Sequence, residues 1–227
     1  MSELGDRVAS VRQRIATAAE RAGRDPGSVR LIAVSKGVDA PLVEAVIGAG
    51  VTDIGENRVL EAEAKRAEVG SPASWHLIGH LQTNKARRAA AVFDAVHSVD
   101  SERVARALAM LRPHDKDPLA LLLEIDLTAI PGRTGIPAQE AESLVREVIG
   151  LPAVHLLGLM TIAPPADDPE QVRPVFAGLR TVRDSLEAAT GWPLPELSMG
   201  MSADFEIAVE EGATMVRVGR ALFAPYP

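Results

Sequence analysis

Val29-Arg30-Leu31-Ile32-Ala33-Val34-Ser35-Lys36-Gly37 is an apolar, β-rich run that ends in a lysine, followed within a few residues by a helical pattern from Pro41 to Gly50. A short run of this kind, bounded by glycine and handed to a helix, is the opening half of a β-crossover-β unit. The same alternation repeats along the chain. Strand-like runs fall at 30–35, 52–54, 75–79, 95–99, 119–126, 154–161, 196–199 and 214–218. Helical patterns follow all but the last, at Pro41 to Gly50, Glu56 to Val69, Asn84 to Val92, Ser101 to Leu111, Ala138 to Ile149, Pro169 to Thr190 and Ala203 to Glu211. Eight runs, near-continuously hydrophobic as strands covered on both faces must be, predict a closed α/β barrel of the (β/α)₈ TIM type rather than an open doubly wound sheet.

The chain's 227 residues suit one such barrel, and no shift of composition marks a second unit, so a single domain over 1–227 is expected. Leu4, Val8, Val11, Ile15, Ala18 and Ala22 recur at helical spacing before Gly23 and Pro26, predicting an N-terminal amphipathic helix over 3–22. Only the short segment Gly219 to Phe223 is available after the eighth run, so this first helix is expected to cover the barrel where a full eighth helix is missing. The Pro-rich stretch 163–169 lies between a strand and a helix and reads as a loop over the barrel mouth.

Net charge is −7 with both signs interspersed and no lysine and arginine block, which argues against nucleic acid or an anionic membrane as partner. With no cysteine there is no thiolate metal site or disulfide, and no histidine or carboxylate spacing suggests another metal centre. The N-terminus lacks a signal pattern, and the longest uncharged stretch, 150–166, is broken by Pro152, Gly158, Pro164 and Pro165. A cytoplasmic, monomeric protein with a small-molecule ligand is the resulting expectation.

Of the 24 basic residues only Lys36, Lys65, Lys85 and Lys116 are lysine. Lys65 and Lys85 sit in charged helical patterns and Lys116 in a loop, which leaves Lys36 alone at the end of an apolar strand. One reading is a strand that surfaces and lets a long side chain out. The other is chemical: attack on an aldehyde needs the neutral amine, a form that apolar surroundings enrich.

In these barrels the working face is the C-terminal end of the strands. There the sequence places Lys36, Glu56-Asn57, the run Gly79 to Lys85, Met160-Thr161, Ser198-Met199-Gly200-Met201-Ser202, and Arg217 leading into Gly219-Arg220. Asn57 and Asn84 can equally open helices. The glycine-rich turns after the last two runs match the frequent phosphate site of the fold, where backbone N-H groups approach an anion. An isolated amine and an anion cradle at one mouth point to pyridoxal 5′-phosphate held as a Schiff base. Arg217 would face the pyridine nitrogen and keep it unprotonated, disfavouring much of the cofactor's carbanion chemistry. Its alternative is a salt bridge inside the barrel, to Glu56 or Asp126.

Six motifs, in order, carry a family resemblance: Leu31 to Lys36, Ile54-Gly55-Glu56-Asn57, Trp75 to Lys85, Gly158-Leu159-Met160, Leu197 to Ser202, and Met215 to Phe223. They resemble the pyridoxal 5′-phosphate homeostasis proteins, relatives of the alanine racemase barrel domain (fold type III of the pyridoxal-phosphate-dependent proteins). The resemblance implies the cofactor on Lys36, its phosphate around Ser202, Gly219 and Arg220, Asn57 and Met160 near the ring, Arg217 at the ring nitrogen, and Ser198 among the cofactor-binding residues. It further implies a carrier or regulator in vitamin B6 balance with no settled catalytic residue, serving apo-enzymes or B6-metabolising enzymes as partners. Three positions depart from the family pattern. Arg220 stands where many members have threonine, Ala224 where glycine is usual, and Arg133 near a position often held by lysine; none touches Lys36.

The alternative activity is an amino-acid racemase. A two-base racemase of the alanine racemase kind adds a tyrosine from a β-domain of the partner subunit, whereas only four residues follow Phe223 here and the sole tyrosine is Tyr226. A third reading, a ligand-free barrel with Lys36 at its surface, leaves the matched motifs unexplained.

Overall fold

The computed structural model describes residues 3–128 and 130–223. Its strands are β1 (Arg30–Val34), β2 (Asp53–Glu56), β3 (Ser74–Leu77), β4 (Ala95–Val99), β5 (Leu119–Asp126), β6 (Ile136–Pro137), β7 (Val154–Met160), β8 (Glu196–Ser198) and β9 (Met215–Val218). All pairings are parallel. Setting aside the two-residue β6, the strands pair in chain order from β1 to β9, β4 pairs β5, and β9 returns to β1, so eight strands close a (β/α)₈ barrel. At the closing seam Ile32 is in register with Arg217 and Ala33 with Val218. β6, which lies between the predicted run 119–126 and the helical pattern from Ala138, adds to the C-terminal end of β5 through Ile125 and Asp126.

The crossover helices are α2 (Ala40–Gly48), α3 (Val59–Glu68), α4 (Ala86–Val92), α5 (Glu102–Leu111), α6 (Ala141–Val148), α7 (Arg173–Thr190) and α8 (Phe205–Glu210). All but α2 begin one to four residues after the start of the sequence pattern; 3₁₀ turns at 83–85, 138–140 and 169–172 take the first residues of three of them. At the last, the Asp168 side chain accepts from the Glu170 N-H, and Pro169 follows where a missing N-H costs nothing. α7 ends at Gly191, whose φ of 70° supplies the left-handed turn that stops it.

The N-terminal helix α1 (Glu3–Arg21) buries Val8, Val11, Ile15, Ala18 and Ala19. It packs where the terminal helix α9 (Arg220–Phe223) is too short to cover the seam. Arg14 forks onto Glu206 of α8 through two bonds of 2.9 Å while its guanidinium lies 4.5 Å over the Phe205 ring. Burying this one apolar face is what a helix of net polar composition gains by docking. Among the described residues no helix is long and apolar enough to cross a membrane.

Gly158 shows how tightly the barrel wall is drawn. A Cβ there would lie 1.8 Å from the Glu196 carbonyl oxygen on the neighbouring strand, so only glycine allows β7 and β8 to meet at this register.

Candidate functional site

At the C-terminal mouth a cavity of about 550 Å³, a size usual for small-molecule sites, is lined by Lys36, Asn57, Arg217, Ser202, Gly219 and Arg220. Val34 and Ile78 form part of its wall, and Ile162 to Ala166 with Pro169 close one side, so the Pro-rich stretch does lie over the mouth. Six residues expected at the site, from four separated stretches of the chain, thus share one hollow.

Met160 and Ser198 are not part of that lining. Both are fully buried and paired in register at the ends of β7 and β8. Ser198 sits behind Arg217, whose Nη1 donates to its Oγ at 2.7 Å, while Arg217 Nη2 donates to the Thr161 carbonyl at 2.9 Å. The alternative of a salt bridge from Arg217 to Glu56 is not realised, because Glu56 is taken by Lys65. Burial lowers Arg217 to about 10, against the raising influence of Asp204 and Glu124, and it remains a cation at neutral pH. The same burial raises both Asp204 and Glu124; Asp204 is tied to the Met201 N-H and Glu124 to the Thr134 hydroxyl.

The turn after β9 brings the N-H groups of Gly219 and Ala221 to the same Ser202 hydroxyl, each at a long 3.3 Å. A Cβ at Gly219 would come within 3.3 Å of the Val34 carbonyl oxygen, so the absent side chain is what lets this turn approach the end of β1. Ser202 is positioned by the turn at Gly200, where φ is 91° and a Cβ would strike Ala208 and Phe205. Arg133, which sequence reading had marked only as a departure, also lines the cavity and donates to the Ile162 and Ala163 carbonyls, tethering the Pro-rich segment. Ala224 and Tyr226 lie outside the described residues. Asn57 is not a helix cap, since α3 begins after Arg58, and Asn84 falls inside the 3₁₀ turn at 83–85.

Sequence reading missed the support beneath Lys36. Lys65, which sits in a charged helical pattern, is buried, and its Nζ donates to Glu56 Oε1 at 2.6 Å, Glu61 Oε1 at 2.7 Å and the Ser35 carbonyl at 2.5 Å. Glu61 Oε1 also accepts from the Gly37 N-H, and Glu56 Oε1 from the Ser35 hydroxyl. The network therefore grips the residues on either side of Lys36 and fixes where its side chain leaves the strand. The signal was present in Val59, Ala62 and Lys65, which recur three apart on one face of α3, and all three are buried.

A family model described as alanine racemase, N-terminal domain, matches residues 7–227. A pyridoxal phosphate homeostasis protein of Pseudomonas aeruginosa is 41% identical over 224 residues, covering 98% of this chain and 96% of that one. Another, of Aquifex aeolicus, is 38% identical over 219 residues, covering 96% of each. Among solved structures, PipY of Synechococcus elongatus with PLP bound is 37% identical with a TM-score of 0.86, over 98% of this chain and 100% of that one. Alanine racemase from Corynebacterium glutamicum, at 21% identity and a TM-score of 0.72 over 98% of this chain and 62% of that one, shares the fold alone. On the strength of near full-length identity joined to a shared barrel, the chain belongs to the pyridoxal phosphate homeostasis protein family, built on the alanine racemase N-terminal barrel.

Proposed function

We propose that this chain binds pyridoxal 5′-phosphate with Lys36 as its covalent anchor and takes part in vitamin B6 homeostasis, as a single-domain cytoplasmic monomer that exchanges the cofactor with apo-enzymes. The observation that carries the reading is that an amine, a buried guanidinium and a turn rich in N-H donors line one cavity. The donor set suits a phosphorylated aldehyde. Ser202 with the Gly219 and Ala221 N-H groups offers donors to a phosphate, supplemented by Arg220 at the rim. When bound, the group supplies an electron sink; Arg217, a donor only, would accept no proton from the ring nitrogen and give it none readily. Ser198 and Thr161 hold Arg217, and Lys65 with Glu56 and Glu61 holds the backbone around Lys36. Asn57 and Met160 are assigned to the ring's surroundings, Asn57 from the cavity wall and Met160 from beneath it.

Purified protein incubated with the cofactor should turn yellow. Borohydride should then fix the label to Lys36, read by peptide mass, and Lys36→Ala should abolish the band. A protein that stays colourless and takes up none overturns the proposal. Transfer from loaded protein to an apo-enzyme, compared with free cofactor at the same concentration, tests the carrier role. Turnover of a single amino-acid enantiomer above about 1 s⁻¹, the low end of ordinary enzymes, would replace the carrier with a racemase.

A further inference from the structure

Five polar side chains from five strands, Asp53 (β2), His76 (β3), His97 (β4), Ser198 (β8) and Arg217 (β9), meet inside the barrel. Arg217 Nη1 is 2.7 Å from Ser198 Oγ, Ser198 Oγ 2.8 Å from His97 Nδ1, His97 Nε2 2.9 Å from His76 Nδ1, and His76 Nε2 3.0 Å from Asp53 Oδ1. β4 and β8 are not neighbours in the wall, so the His97 to Ser198 link crosses the lumen. The chain also spans the barrel from end to end. Arg217 lines the cavity that holds Lys36, whereas Asp53 lines a second hollow of about 640 Å³ at the opposite face, among Arg30, Glu196 and Thr214.

With both imidazoles neutral, the two ends dictate the direction of every bond between them. A guanidinium can only donate and a carboxylate can only accept. Arg217 therefore gives to Ser198, Ser198 gives its hydroxyl hydrogen to His97 Nδ1, His97 gives from Nε2 to His76 Nδ1, and His76 gives from Nε2 to Asp53. In that arrangement each imidazole has one donor and one acceptor in use. The surroundings of His97 agree: burial, then the positive charge that a protonated His76 would carry and that Arg217 and Arg30 do carry, hold it well below the ordinary histidine range. Asp53 is raised by burial but brought below the ordinary range by its hydrogen bonds from His76 and Thr52, with Arg30 adding to them. Arg217 itself is faced by Asp204 and Glu124.

We propose that Ser198, His97, His76 and Asp53 are positioning residues for Arg217, a one-way hydrogen-bonded chain that locks the guanidinium toward the cofactor cavity and anchors it to a carboxylate at the far end of the barrel. The effect on bound cofactor rests on the function proposed above; the lock on Arg217 does not. A fully satisfied polar chain polarises along its length, so its far end is felt at Arg217.

The unloaded protein tests the lock. With ¹⁵N-labelled histidine at pH 7.5, both His97 and His76 should be neutral, protonated at Nε2 and bare at Nδ1. The two Nη1 hydrogens of Arg217 should resolve as separate signals and merge in Ser198→Ala. Either ring charged or in the opposite tautomer, or merged Arg217 signals in the parent protein, overturns the proposal whether or not cofactor binds. The loaded protein tests the consequence. His97→Leu should move the pH midpoint of the visible band by at least half a unit, in the same direction as Arg217→Gln, and add nothing in the Arg217→Gln background. His97→Gln, which offers one donor and one acceptor, should recover at least half of the shift. An unmoved midpoint or additive shifts would mean that the chain only packs the core. Should His97→Leu fail to fold, Ser198→Ala and Asp53→Asn carry the same comparison.

Discussion

Replacing Lys65 by methionine keeps the length and most of the apolar stem of the side chain and removes only the ammonium. In the parent protein that ammonium makes three contacts of 2.5 to 2.7 Å and faces Glu56, whose side chain is 0% exposed. Without it Glu56 keeps one bond, from the Ser35 hydroxyl, and its Oε2 already lacks a partner. Breaking a buried pair in this way costs about 3 to 5 kcal/mol. With a urea dependence of about 3 kcal/mol per molar, the unfolding midpoint should fall by about 1 to 1.7 M. Burial raises Glu56 above the usual carboxylate range even against the hydrogen bonds of Lys65 and Ser35, and losing Lys65 raises it further. A group whose folded pKa is raised contributes its stability at low pH and loses it as pH rises through that value. The deficit of Lys65→Met should therefore be smallest near pH 5 and largest near pH 8, and Lys65→Met with Glu56→Gln should remove the pH dependence. Fluorescence of Trp75, buried on β3, follows the transition. A loss under about 1 kcal/mol at pH 8, or one equal at both pH values, would refute the assignment of Lys65 as the counter-charge of a buried carboxylate.

Gly158→Ala should cost about 3 kcal/mol, the upper range for overpacking, because the added carbon meets a backbone oxygen on the next strand; Gly70→Ala, with nothing within 4 Å, should stay within about 0.5 kcal/mol in the same melt. Since His97 is held neutral by burial, the unfolded chain binds a proton there that the folded one does not. Stability present above about pH 6.5 should be lost as pH falls below it, with a slope approaching about 1.4 kcal/mol per unit, and urea titrations of His97→Gln should show a flatter profile. Arg14→Met should cost about 1 kcal/mol, and Arg14→Lys should recover less than half of it in thermal melts, because lysine cannot reproduce the two-pronged contact with Glu206.

The barrel was legible because its strands are buried on both faces and therefore stand out as unbroken apolar runs between helical patterns; β5, Leu-Ala-Leu-Leu-Leu-Glu-Ile-Asp, is the plainest case. The ends of β1 and β9 were legible for a related reason, a lysine and an arginine being conspicuous in such runs. The same property hid the interior chain. A strand without a polar face gives no period-two signal, so nothing in Trp75-His76-Leu77 or Val96-His97-Ser98 says which side chain points into the lumen. Only the closing of the wall brings His97 against Ser198, residues 101 positions apart. The burial of Lys65 was not legible because Glu61 and Lys65 form the i, i+4 pair typical of a wet surface, and that burial depends on Glu56 lying beneath α3. The two-residue β6 was too short to leave a pattern.

The seam between β1 and β9 gives the chain's order of synthesis a bearing on its chemistry. A ribosome delivers Lys36 early, but Arg217 and the turn at Gly219 emerge about 180 residues later, and β9 is the last plank of the wall. Until it is laid, Lys36 has beside it neither Arg217 nor the Gly219 turn, the groups proposed above to face the ring and the phosphate. Possession of the cofactor would then mark a finished molecule, and a nascent or clipped chain would leave the reactive aldehyde for others.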